Sequence, residues 1–124
     1  MKILVIDPST LFLRAVRSFI GALPRCECIF AASLDEALGL AATREADLVL
    51  IDYSLRGVGA EPAAHRLKVL VPTARVLLLT EDAAAYHSSC LAAEADGCLV
   101  KDTLGVDLPQ LVASHMAPFG KESA

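Results

Sequence analysis

Four polar side chains hold equivalent places in this chain of 124 residues, each directly after a short apolar run. Asp7 follows Ile3-Leu4-Val5-Ile6, Asp52 follows Leu48-Val49-Leu50-Ile51, Thr80 follows Val76-Leu77-Leu78-Leu79, and Lys101 follows Cys98-Leu99-Val100. If the runs are neighbouring strands, the four meet at one edge of a sheet. Two carboxylates there attract a hard cation such as Mg²⁺, which takes one or two carboxylates together with waters and phosphate oxygens. Asp52, beside that cation, is placed to act as a nucleophile toward phosphorus. Thr80 offers a hydroxyl to a phosphoryl oxygen, and Lys101 a compact positive charge on a flexible stem. Together they describe electrostatic stabilisation of a phosphoryl group in transfer. Any one of them alone reads as a turn former or a solvated charge; the coincidence of four carries the inference.

The elements that must position these residues are legible from two alternating periods. The four runs, with Cys28-Ile29-Phe30-Ala31 as a weaker fifth, are continuous and apolar, as strands covered on both faces should be. Between them apolar residues recur at helical spacing. Leu11, Ala15, Phe19 and Leu23 form one stripe, opened by Ser9 or Thr10 and closed before Pro24. Leu34, Ala37, Leu38, Ala41 and Ala42 form a second, with Ser33 and Glu36 spaced as a capping box. A third runs from about Glu61-Pro62 to Leu70, a fourth from about Asp82 to Ala93, and a last from Val106 or Leu108 to Met116, before Pro118. Strict alternation of strand and helix predicts an α/β fold, a doubly wound five-stranded parallel sheet of order 2-1-3-4-5 with helices on both faces. Ligands of such sheets bind beyond the carboxyl ends of the strands, beside strands 1 and 3.

Composition bounds the function classes. A chain that is 55% hydrophobic and 21% charged is not disordered, and 15 acidic against 11 basic side chains, net -4, disfavour direct nucleic-acid binding by this domain. No run approaches the ~18 apolar residues of a membrane span, and the first apolar run ends at Asp7 after four residues, unlike a secretory leader. A soluble, cytoplasmic protein without membrane contact is expected. Cys26, Cys28, Cys90 and Cys98 show neither a disulfide framework nor metal-ligand spacing, so they are expected as small buried hydrophobes in a reducing compartment.

Four segments, Lys2-Ile-Leu-Val-Ile-Asp7, Asp47-Leu-Val-Leu-Ile-Asp52, Val76-Leu-Leu-Leu-Thr80 and Ala95-Asp-Gly-Cys-Leu-Val-Lys101, resemble the receiver domains of two-component response regulators, in the same order and over essentially the whole chain. The resemblance implies a flavodoxin-like receiver domain over residues 1–118, with 119–124 as a tail. It makes Asp52 the phosphoacceptor, Thr80 the switch hydroxyl and Lys101 the lysine that contacts phosphoryl oxygens. It assigns Mg²⁺ to Asp7, Asp52 and the backbone carbonyl of Ser54, and names a sensor histidine kinase or phosphotransfer protein as the phosphodonor of a phosphorelay. The domain would be a signalling module rather than an enzyme, catalysing its own phosphorylation at most. Leu11-Phe12 and Lys101-Asp102 look like receivers that precede a helix-turn-helix DNA-binding domain, so the chain reads as a stand-alone receiver or as the N-terminal part of a longer regulator.

Departures from the family pattern set a competing expectation. Pro8 stands at the second place of the usual acidic pair and offers no ligand, which predicts weak Mg²⁺ binding. Cys98 stands where an aromatic switch residue is usual, Glu81 where a small residue follows the switch threonine, and Arg56 where a proline is common. The alternative is a pseudo-receiver, a protein-interaction module working without phosphorylation. A phosphatase with Asp7 as nucleophile is disfavoured, because that chemistry needs a second aspartate where Ser9 stands. A homodimer is expected through the face of the fourth predicted helix, the fifth strand and the fifth predicted helix.

Overall fold

In the computed structural model, which describes residues 1–55, 62–81 and 95–116, the apolar runs become strands and side-chain alternation sorts each central run into two cores. Strands β1 (Lys2–Ile6), β2 (Glu27–Ala31), β3 (Leu48–Asp52), β4 (Arg75–Thr80) and β5 (Gly97–Val100) form one parallel sheet in the order β2-β1-β3-β4-β5. The described helices are α1 (Thr10–Ile20), α2 (Leu34–Arg44), α3 (Ala63–Leu70) and a C-terminal helix (Leu104–Met116). Leu4, Ile6, Val49, Ile51, Val76 and Leu78 share a core with Ala37 and Ala41 of α2 and Ala63, Ala64 and Leu67 of α3. Ile3, Val5, Leu48, Leu50, Leu77 and Leu79 share the other with Val16 and Ile20 of α1 and Leu104, Leu108 and Val112 of the C-terminal helix. Burying each Leu or Ile contributes about 1.5–3 kcal/mol. The apolar composition therefore belongs to a sheet covered on both faces; no described helix is long and apolar enough to cross a membrane.

Helix boundaries refine the expected ones. Ser9 is the cap of α1, its Oγ accepting from the Phe12 amide at 3.2 Å. The helix ends at Ile20 rather than at Leu23, because the next amides fold into a tightened turn, Ala22 donating to Phe19 and Leu23 to Ile20. In α2 the Ser33 hydroxyl accepts from the Glu36 amide, while the Glu36 carboxylate reaches one residue further back than a standard capping box, to the Ala32 amide at 2.8 Å. That helix closes on Glu45 in the left-handed region, φ 53°. Pro62 stands before α3 as its cap rather than inside its first turn. The C-terminal helix starts at Leu104, earlier than expected, and keeps Pro109 inside it. The preference of proline for a first turn is overridden by burial of both Leu104 and Leu108 against the sheet. The expected fourth helix, 82–93, and the expected tail lie outside the described residues.

The cysteines divide. Cys26 and Cys28 are free, half-buried, and packed on the core beneath α1. Burial pushes the Cys28 thiol up to about 12, which keeps it protonated at neutral pH. Cys98, expected as a plain core residue, is instead disulfide-bonded as well as packed against the core beneath α2 and α3. Spacing along the chain carried no sign of this bond. Gly97 opens β5, where a Cβ would meet the Leu77 side chain at 3.0 Å.

Candidate functional site

Strand register brings the predicted residues together. Ile6 pairs with Ile51 across β1 and β3, so Asp7 and Asp52, one residue on, project side by side from the sheet edge. Thr80 pairs with Val100 across β4 and β5, so Lys101 leaves the same edge one step further along. Asp52 and Thr80 are the last residues of their strands, whereas Asp7 and Lys101 come just after theirs, Lys101 opening a 3-10 turn. The Asp7 amide still donates to the Ala31 carbonyl at 3.0 Å, which extends the β1–β2 ladder to the site.

These side chains wall a cleft of about 490 Å³, joined by Pro8, Ser54 and Glu81. The Lys101 ammonium sits between the carboxylates, 2.8 Å from Asp7 Oδ2 and 2.6 Å from Asp52 Oδ1. The second Asp52 oxygen, Oδ2, accepts from the Ser54 amide at 3.1 Å and from the Ser54 hydroxyl. Burial opposes ionisation of Asp52, but hydrogen bonds from Lys101 and Ser54 outweigh it and hold the carboxyl below its ordinary value. Burial likewise works against the charged form of Lys101, and its bonds to Asp52 and Asp7 reverse that and raise its value. Asp52 and Lys101 are therefore both charged at neutral pH.

Asp7 is 1% exposed. Its Oδ1 accepts from the Ser9 amide at 2.8 Å, while Oδ2 is ion-paired with Lys101. Two carboxylates thus share one ammonium. The excess negative charge fits a hard cation held by Asp7 and Asp52. Pro8 adds nothing to that set, and among the described residues no cluster of three or more His, Cys, Asp or Glu side chains could hold a metal ion.

Asp7, Asp52 and Lys101 are in direct contact, Ser54 bonds to Asp52, and Thr80 is buried in the same wall. Phe12 was not foreseen as part of this group. Its ring lies under the Lys101 ammonium, 4.4 Å from nitrogen to ring centroid. An aromatic at helical spacing reads as core, yet its place three residues after the cap of the helix that follows Asp7 was a usable signal.

The family model of the response regulator receiver domain matches residues 3–113. Nitrate/nitrite response regulator protein NarP of Escherichia coli is 28% identical over 104 residues, 82% of this chain and 48% of that protein. The chain thus spans about half the length of the curated relative it matches. A response regulator from Burkholderia pseudomallei, solved with a phosphorylated aspartic acid and a calcium ion, is 26% identical with a TM-score of 0.69, covering 90% of this chain and 64% of that one. The receiver domain of sensor histidine kinase PA1611 from Pseudomonas aeruginosa, solved with magnesium in its active-site cleft, shares the fold at 16% identity and TM-score 0.78, covering 94% of this chain and 98% of that one. With strand order, site geometry and family match in agreement, the chain belongs to the response regulator receiver domain family of two-component signalling.

Proposed function

We propose that this receiver accepts a phosphoryl group on Asp52 from the phosphohistidine of a sensor histidine kinase or phosphotransfer protein, and that the transfer switches a protein-interaction surface. The observation that carries the reading is the buried group of Asp7, Asp52 and Lys101, in which an ionised carboxylate is held beside a fixed ammonium at a cleft open to solvent. A carboxylate oxygen of Asp52 attacks phosphorus and an O–P bond forms. The P–N bond to the donor imidazole breaks, its electron pair going to the ring nitrogen, which then takes up a proton. Lys101 moves from carboxylate to phosphoryl oxygens as charge builds there, and Thr80 offers its hydroxyl from the β4 end. The domain performs this step on itself and turns over no separate substrate.

Asp7, Asp52 and the Ser54 backbone carbonyl are the groups that would hold Mg²⁺, which when bound supplies further positive charge for the phosphoryl oxygens. With Pro8 in place of a third acid, we propose that the affinity is low. The phosphodonor and a self-association face built on β5 and the C-terminal helix belong to the same reading, as does a cytoplasmic location, where such kinases present their phosphohistidine.

Pro8 and Glu81, both at the cleft, favour one second reading, a pseudo-receiver that binds partners without phosphorylation. Incubation with a small phosphodonor and Mg²⁺, read by intact mass, separates the two. A gain of one phosphoryl group by the parent and none by Asp52→Ala supports the phosphoacceptor; no gain by the parent across a range of Mg²⁺ concentrations selects the pseudo-receiver.

A further inference from the structure

The Lys101 ammonium has neighbours on three sides: Asp7 Oδ2 at 2.8 Å, Asp52 Oδ1 at 2.6 Å and the Phe12 ring at 4.4 Å from its centroid. We propose that Phe12 is a positioning residue for phosphoryl transfer, its ring face holding the Lys101 ammonium at the point shared by the two carboxylates. The inference rests on the reading of Asp52 as phosphoacceptor.

The placement of the ring is built from the site itself. The Ser9 amide donates to Asp7 Oδ1 at 2.8 Å, and the Ser9 hydroxyl accepts from the Phe12 amide at 3.2 Å. Asp7 thus fixes the cap, the cap fixes the first turn of α1, and that turn carries the ring. Phe12 is also half-buried against the core beneath α1, which limits its movement.

A ring does what a third carboxylate does in one respect and the opposite in another. Both attract an ammonium, the ring through its negative face. Only the carboxylate repels an incoming phosphoryl group. Lysine is a strongly hydrated charge on a flexible stem, and its side chain here is still 14% exposed at the cleft. A ring beneath it excludes water from one side and lets the ammonium turn from carboxylate to phosphoryl oxygens without full rehydration. In a site where Pro8 has replaced an acid, an uncharged partner for Lys101 keeps the cation in place without restoring the repulsion.

The test uses the intact protein in four forms: parent, Phe12→Tyr, Phe12→Leu, and protein carrying progressively fluorinated phenylalanine at position 12, which weakens the negative face at nearly constant shape. Two readouts are taken: the proton shift of the Lys101 ε-methylene, displaced upfield by a ring beneath it, and the rate of phosphorylation by a small phosphodonor followed by intact mass. The expected result is an upfield shift in parent and Phe12→Tyr that is lost in Phe12→Leu. Phe12→Tyr should keep the parent rate, Phe12→Leu should be slower by roughly 3- to 10-fold, and the rate should fall stepwise with fluorination. A Lys101 shift unchanged by Phe12→Leu, or parent rates throughout the fluorinated series, overturns the proposal. A parent that gains no phosphoryl group overturns the phosphoacceptor reading and, with it, any role of Phe12 in transfer. The shift still reports whether ring and ammonium meet, so the two failures are told apart.

Discussion

Both ends of the sheet carry a lysine paired with aspartate, yet they are built for different ends. At the amino edge, Lys68 of α3 donates to both oxygens of Asp96 at 2.8 Å, and the Val76 amide adds a third bond to the same carboxylate at 2.8 Å. One positive charge meets one negative charge, both about one-third exposed. At the carboxyl edge, Lys101 is shared by two carboxylates that are 1% and 12% exposed, so one positive charge meets two negative ones. The same residue types make a closed structural pin in one place and an unbalanced, water-accessible site in the other. Charge count, rather than the presence of a salt bridge, separates the two edges.

Substitutions should separate the two edges most sharply at Asp52, the proposed phosphoacceptor. Asp52→Ala should abolish mass gain from a phosphodonor, while any substitution at Lys68 should leave it untouched. Next in size is Lys101→Met, which leaves two buried carboxylates facing each other. It should slow phosphorylation on the order of 100-fold and cost about 2–3 kcal/mol of stability by denaturant unfolding. Lys68→Met, removing a half-exposed pair, should cost only about 0.5–1 kcal/mol. A loss from Lys68→Met as large as that from Lys101→Met would erase the distinction.

The pH response has a defined sign. The Asp52 carboxyl is held below its ordinary value of 3.8, so its stabilising contribution is complete above that value and is lost as pH falls through the lower, folded one. Lys101 is raised above its ordinary 10.5, so its contribution is present below that value and is lost as pH rises through the higher, folded one. Between these limits the phosphorylation rate should be flat with respect to Asp52 ionisation. In Lys101→Met the acid fall should begin at higher pH, because the bonds that lower Asp52 are gone; an unmoved profile would mean that Lys101 does not set the Asp52 charge. The smallest expected effect lies away from both edges. Glu45 closes α2 with φ 53°, a conformation that favours glycine, so Glu45→Gly should stabilise by about 0.5–1 kcal/mol in thermal unfolding, with phosphorylation unchanged.

Much of this was legible in the residues. Strands buried on both faces must be continuously apolar, so Leu48-Val49-Leu50-Ile51 and its counterparts declared the sheet, and the polar residue ending each run declared the edge where chemistry sits. What stayed hidden depended on packing. The contact of Phe12 with Lys101 shows only once the path of Lys101 across the site is known, and the bond at Cys98 only once the chain is folded. The last helix starts at Leu104 rather than at Val106 or Leu108, because burial of Leu104 and Leu108 against the sheet decides it. Local preference was a good guide where burial agreed with it and a poor one where burial did not.

The most direct test of the central claim is to locate the phosphoryl group. Protein treated with a small phosphodonor and Mg²⁺ would be reduced with borohydride, which converts an acyl phosphate to an alcohol, and its peptides mapped by mass. A site at Asp52 occupied by phosphate predicts reduction at position 52 alone, absent without phosphodonor. Reduction at another carboxylate, or at none, would contradict it.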